Sequence, residues 1–476
     1  MRYVYPFTVL AAIVAPAMLF AEGGFVTPTE QTIGRNLQVF VSVRLTDQAP
    51  ATGLDVTITS DDPTKVLLGA TPTSAGSKSI TLKIRAQYIE TPDFYIQGHA
   101  DSGSATYTIT APGFASNKGI VKLAPSAILI VGPFKAPSFK TTTGTSSKMT
   151  FYAAHLDAAG NFGAQQGIAG GMTVPLEVGS SNAKAGAIVA AQLEMKGGES
   201  SLHAEFKPAG VGTTILTVKA PAGFSSAAKQ YAAVSAAVDE PGIGLTGDIN
   251  LGKDLQVPSF ILLAEPAPAK GLDVTLTSSD PKALVLSASD DKLGTGTLKI
   301  HVAAGEMRVP YFIQGLAESG SVTHTASAPG YRSRVAPVYM APSGFMVVYS
   351  PYGPPDEAEY LRTKSTRDPR AFTVTMGERK PTHLTIWPVY LDPKTRRGAD
   401  MTAQRLRPGI KVVANLANTN PAVAKVPAQV ILNGPAEWAM VEFVPITEGQ
   451  TVISVDTPSG FTTPSNAITV AATVKP

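Results

Sequence analysis

The 476-residue chain contains no cysteine. This excludes disulfides, thiolate metal sites, cysteine nucleophiles and a lipid anchor on an N-terminal cysteine of the mature chain. Charge is scarce: Asp, Glu, Lys and Arg make up 16% of residues, against a usual share of about 25%, and the net charge is +3. So small an excess over this length excludes the dense basic face of a dedicated nucleic-acid binder. The six histidines, His99, His155, His203, His301, His324 and His383, form no short-spaced ligand pair and no His-Glu-x-x-His motif. There is no Gly-x-Ser-x-Gly elbow, and Gly294-Thr295-Gly296 is too short for a phosphate-cradling loop. After the first 21 residues no apolar run is long enough to span a membrane, and no stretch carries three turns of helical periodicity.

What is present is apolar residues (44%), 43 glycines and 38 prolines, a balance that suits many short strands joined by tight turns. The length predicts several domains. Residues 1–21 read as a secretory signal peptide, with an uncleaved anchor as the alternative. Arg2 is followed by an uncharged apolar run from Phe7 to Phe20, and Ala21 before Glu22 is a plausible cleavage point. The mature protein is therefore expected outside the cell or at its surface.

The chain repeats itself at long range. Gly34-Arg35-Asn36-Leu37-Gln38-Val39 returns as Gly252-Lys253-Asp254-Leu255-Gln256-Val257. The run Gly53 to Ser60 returns as Gly271 to Ser278, and Ile96-Gln97-Gly98 returns as Ile313-Gln314-Gly315. A weaker pair matches His155-Leu156-Asp157 with Tyr390-Leu391-Asp392 and Glu205-Phe206 with Glu442-Phe443. Repeats of this length mean duplicated domains. Turn markers recur in each: Ala111-Pro112-Gly113-Phe114, Pro221-Ala222-Gly223-Phe224, Ala328-Pro329-Gly330-Tyr331 and Pro458-Ser459-Gly460-Phe461. Between them the apolar period is two, as in Ile80, Leu82 and Ile84, which predicts antiparallel strands with one wet face. The expected fold is all-β, four tandem immunoglobulin-like β-sandwiches in an A-B-A-B order: A1 over 22–127, B1 over 128–240, A2 over 241–343 and B2 over 344–476.

The Asp157-Ala158-Ala159-Gly160-Asn161 turn after an alternating strand resembles that of bacterial immunoglobulin-like (Big-type) repeats, as in intimin- and invasin-like surface proteins. The A domains resemble tandem immunoglobulin-like repeats of large secreted bacterial proteins. B2 carries Asp392-Pro393-Lys394-Thr395-Arg396-Arg397-Gly398 in place of the Gly-Asn turn. The resemblance implies extracellular scaffolding or adhesion and no catalysis, by fold-level analogy.

Chemistry is sparse. His99 matches Leu316 and His324 matches Tyr107 across the repeat, so no histidine-based catalytic site is expected. The acidic pairs Asp61-Asp62, Asp290-Asp291 and Asp239-Glu240 fall short of the roughly six to eight oxygens calcium takes, and read as capped turns. No metal and no cofactor is expected. Both tryptophans lie in B2. Trp387 alternates in phase with Val389 and Leu391, a core position. Trp438 aligns with Ser201, runs out of phase with Val441 and Phe443, and shares an outward face with Met440 and Glu442; burial under a neighbouring domain or loop is the alternative.

From Gly353 to Gly409, B2 is longer than its counterpart and holds eleven basic against seven acidic residues, with Tyr349, Tyr352 and Tyr360 at or beside its start. A basic, aromatic surface there would meet an anionic polymer, an acidic protein or a twin subunit; a solvated loop is the alternative. The candidate interaction residues are Trp438, Met440, Tyr352, Tyr360, Arg396 and Arg397.

The leading expectation is a non-catalytic secreted structural or adhesive protein, a rod-like surface stalk or fibre subunit, that meets a protein partner or itself. The alternative is a carbohydrate-binding envelope or matrix protein, meeting a surface polysaccharide through B2. An enzyme is disfavoured because no motif announces one.

Overall fold

The computed structural model describes residues 23–26, 30–190, 192–349, 370–377 and 382–476. The expected signal peptide, Tyr352 and Tyr360 lie outside the described residues. The chain divides into two compact units, Met1–Asp239 and Glu240–Pro476. The fold is all-β. Among the described residues the helical segments are a four-residue turn, Lys229–Ala232, and a short 3-10 turn, Pro133–Lys135.

The first unit opens with a five-stranded sheet in the order Gln31–Gly34, Phe114–Ala124, Ser104–Ala111, Leu54–Ser60, Ser79–Ile84. It faces a sheet of Leu37–Val41, Phe94–Gly98 and Val66–Gly69. Ile33, Val56, Ile58, Tyr107 and Val121 from one sheet meet Val66, Leu68, Phe94 and Ile96 from the other in one buried cluster. The alternation in Leu54–Ser60 is visible in its burial: Leu54, Val56 and Ile58 are buried while Asp55 is exposed. A second sandwich follows, with Ser126–Val131, Ser147–Leu156, Ser201–Pro208 and Gly186–Val189 against Ser138–Thr142, Ala233–Asp239, Gly212–Lys219 and Glu177–Ser180. Phe151 and Phe206 fill its core against Leu216, Val234 and Ala236.

The second unit repeats both sandwiches, and one continuous core cluster runs through them from Ile243 to Val474. One device recurs four times. Near the start of each sandwich a short strand pairs in parallel with the last strand: Gln31–Gly34 with Phe114–Ala124, Ser138–Thr142 with Ala233–Asp239, Ile249–Gly252 with Tyr331–Ala341, and Ala371–Thr375 with Thr469–Lys475. This joins the two sheets at one edge, as in immunoglobulin-like sandwiches.

The repeated sequence motifs sit at the join between sandwiches within each unit. Gly167–Ile168, from the second sandwich, pairs with Leu37 and Gln38 and extends a sheet of the first. Arg405–Leu406 does the same for Leu255 and Gln256. A Cβ on Gly34 would stand 2.9 Å from Ser126 Cβ and 3.1 Å from His155 Cβ; one on Gly252 would stand 3.0 Å from Ser343 Cβ. The backbones therefore approach where only glycine fits. Asn36 and Asp254 follow at φ 61° and 59°, a left-handed conformation that Asn and Asp tolerate.

One side-chain amide then bridges the join in each unit. Gln166 accepts from Gly34 N–H (2.9 Å) and donates to Thr32 C=O (2.6 Å). Gln404 accepts from Gly252 N–H (3.0 Å) and donates to Asn250 C=O (2.7 Å). Behind them lie buried amide pairs, Gln97 donating to Gln38 and Gln314 donating to Gln256. The sandwiches of one unit thus share strands and a polar network, a closer union than beads on short linkers.

Gln404→Ala strips Gly252 N–H and Asn250 C=O of their partners. Its expected cost is about 2 kcal/mol. This reads as a lower urea midpoint by tryptophan fluorescence, since both tryptophans lie in the second unit. Gln166→Ala leaves that midpoint unchanged and lowers the circular-dichroism transition of the first unit instead.

Candidate interaction surface

The last sandwich carries a strand, Ala439–Pro445, whose inward residues Val441 and Phe443 are buried in the core. Trp438 precedes this strand at 41% exposure, and Met440 is 38% exposed. Val444 and Ile446 continue the exposed apolar series, interrupted by Glu442. Met440 lies directly opposite Thr385, and Trp387 opposite Met346. Met346, Val348, Trp387, Val389, Leu391 and Ala467 form a second buried cluster apart from the main core. Trp387 is therefore buried with Val389 and Leu391 as expected, but on the outer face of its sheet.

The equivalent strand of the first unit, Ser201–Pro208, shows what this face looks like when merely solvated. Thr150 pairs with His203 as Thr385 pairs with Met440. There the outward residues are Ser201, His203, Glu205 and Lys207, and Thr150 Oγ1 lies 3.1 Å from His203 Nδ1. Trp438, Met440 and Val444 replace Ser201, His203 and Lys207 on the same framework. Large apolar groups offered to solvent, Trp and Met among them, are characteristic of contact surfaces. Val444 and Ile446 escaped the sequence reading, although the alignment of Glu205-Phe206 with Glu442-Phe443 already set Val444 against Lys207.

Arg396 and Arg397 lie elsewhere, on the turn after Leu391. Arg396 holds φ 57°. Asp392 shapes this turn by accepting from the backbone N–H of Lys394 and Thr395, and the Thr395 bond holds its carboxyl below the usual range. Asp157 does the same work in the first unit through Asn161 and Ala159. The turn lacking Gly-Asn is thus one residue longer but capped by the same chemistry.

The expected basic surface is in part used up internally. Arg405 binds Asp290 (2.7 Å) and Arg407 binds Asp254 (2.8 Å) across the join of the two sandwiches, while Glu437 (3.5 Å from Arg405) lies in the same sandwich as the arginine. These guanidiniums are structural ties because the close approach of the sandwiches brings carboxylates to them. Among the described residues no group of three or more His, Asp or Glu side chains is placed to hold a metal ion. Nor, among those residues, is any helix long and apolar enough to cross a membrane.

No known protein family matches the sequence, and no curated protein matches it. Among solved structures the chain is similar to the adhesin InvE of Yersinia pseudotuberculosis, at 11% identity over 45% of this chain and 58% of that one, with a TM-score of 0.18. It is similar to a β-glycosidase from Bacteroides vulgatus at 12% identity, over 45% of this chain and 25% of that one, TM-score 0.17. It is also similar to the teleost fish polymeric Ig receptor ectodomain at 11% identity, over 45% and 97%, TM-score 0.19. The chain therefore spans less than two thirds of the adhesin and of the glycosidase.

One buried titratable pair distinguishes the units. Phe94 and Tyr107 of the first become Tyr311 and His324 of the second, with the Tyr311 hydroxyl 2.7 Å from His324 Nε2. Burial pushes Tyr311 up to about 12 and His324 down to about 4. The folded state thus keeps His324 neutral where the unfolded chain, with a His pKa of about 6.5, takes up a proton. This stabilising term is full above about pH 6.5 and is lost as pH falls toward 4, up to roughly 3 kcal/mol. Tyr311→Phe with His324→Tyr, the pair used in the first unit, removes that pH dependence. The check is the urea midpoint of tryptophan fluorescence from pH 7 to pH 4: the wild type loses more stability than the double variant.

Proposed function

We propose that this is a non-catalytic extracellular structural or adhesive protein, built from four immunoglobulin-like sandwiches paired A-B and A-B, in which the last sandwich makes the specific contact. It serves as a surface stalk or as the subunit of an extracellular fibre. The observation that carries this reading is the exchange of Ser201, His203 and Lys207 for Trp438, Met440 and Val444 on the equivalent strand. A solvated face is apolar here while the pairing of the strand with its inner neighbour keeps its register, Met440 opposite Thr385 as His203 is opposite Thr150. Its aliphatic members fit a protein surface, a partner or a second copy of the chain, since they offer a sugar no hydrogen bonds.

The close union of the sandwiches within each unit supports a load-bearing role. Shared strands, close backbone approach and the bridging glutamines limit bending inside a unit. The N-terminal signal-like segment supports export, and the absence of cysteine is compatible with a bacterial exported chain.

Sedimentation velocity and negative-stain microscopy of the mature protein test this. The expected particle is elongated and self-associates with rising concentration, and Trp438→Ser with Met440→His, the residues of the first unit, weakens that association. A compact monomer, unchanged by the double substitution, would count against both stalk and fibre.

A further inference from the structure

We propose that the second unit carries an oligosaccharide-binding groove between its two sandwiches, away from the apolar stripe. The groove measures about 380 Å³ and is lined by Tyr339 from the strand Tyr331–Ala341, Tyr390 from Thr382–Leu391, Asn250, and Asp392, Thr395 and Arg397 from the turn beyond. That volume lies at the small end of the range for small-molecule sites.

Both tyrosines have exact register counterparts in the first unit. Tyr339 pairs with Asn250 as Lys122 pairs with Thr32. Tyr390 pairs with Ser343 as His155 pairs with Ser126. In the first unit Lys122 forms a 2.7 Å ion pair with Glu30. The framework therefore accepts a lysine and a histidine at these positions and does not need two aromatic rings. Tyr339 is 43% exposed, so its ring is not filling a core.

The lining matches the chemistry of a sugar. A tyrosine ring offers an apolar face to the C–H face of a pyranose and a hydroxyl that donates and accepts. Asp392 is fixed in orientation because Oδ1 accepts from Lys394 N–H, Thr395 N–H and the Thr395 hydroxyl. Among the described residues its Oδ2 takes no hydrogen bond and is available to a ligand hydroxyl. One carboxylate and one guanidinium leave the lining close to neutral, which favours a polyhydroxylated ligand over a phosphate, and the few aliphatic side chains disfavour an apolar peptide.

The test uses the full mature chain on a printed array of neutral and uronic-acid-containing oligosaccharides. Wild type is expected to bind a subset. Tyr339→Lys with Tyr390→His weakens that binding roughly tenfold or more, and Tyr88→Lys, at an exposed tyrosine of the first unit, leaves it unchanged. Thermal unfolding by circular dichroism checks the fold of each variant, and Tyr339→Ala alone gives the same direction of loss if the double variant is unstable. Wild-type silence across the array overturns the groove, as does full binding in the tyrosine variants. Binding lost in Trp438→Ser but kept in the tyrosine variants assigns the sugar to the stripe and equally overturns it. Groove and stripe are changed separately, so failure here leaves the adhesive reading standing.

Discussion

The rest of the structure depends on the close approach of two backbones inside each unit. At Gly34 and Gly252 the chain passes so near the next sandwich that a Cβ has no room. Polar backbone groups brought that close and hidden from water must find partners or cost stability. Gln166 and Gln404 supply them, and the short strands Gly167–Ile168 and Arg405–Leu406 close the neighbouring sheet edge. An open edge would otherwise template unwanted pairing. Strand geometry on either side is then set, including the register that places Tyr339 and Tyr390 across from Asn250 and Ser343.

This explains what the duplication kept. The motif Gly-Arg/Lys-Asn/Asp-Leu-Gln-Val supplies the tight glycine, a residue that accepts positive φ, a buried leucine and a glutamine of the amide pair. Positions with freedom to change differ between the two units. Exposed sites on the last sandwich turned from Ser, His and Lys to Trp, Met and Val, and the two groove positions turned from Lys and His to Tyr. The framework and the divergent surface are separable because Trp438, Met440, Val444 and Tyr339 are exposed and carry little of the packing.

Much of the fold was legible beforehand. Alternation in Leu54–Ser60 and Thr297–Val302, and the Pro-Gly-aromatic turns, translate directly into strands and hairpins; Ala111 ends one strand and Phe114 begins the next. In the B-type sandwiches the same turn leads into an irregular segment instead, and Phe461 packs on Phe345 with ring centroids 4.9 Å apart. The outward direction of Trp438 and Met440 was also legible, since alternation needs no partner to be seen. The fate of Arg405 and Arg407 was not. Their ion pairs join residues far apart in sequence, and a composition count treats every arginine as free.

By itself the sequence determined the all-β class, the duplication and the absence of thiol chemistry, because periodicity, repetition and composition are local properties of the chain. Only the tertiary structure decided why the repeated motif repeats, which cations are ties, and where two tyrosines meet. Those facts depend on distances between sandwiches, and such distances exist only once residues far apart in sequence are brought into contact, as Gly34 is to Gln166 with a separation of 132 and Gly252 to Gln404 with a separation of 152.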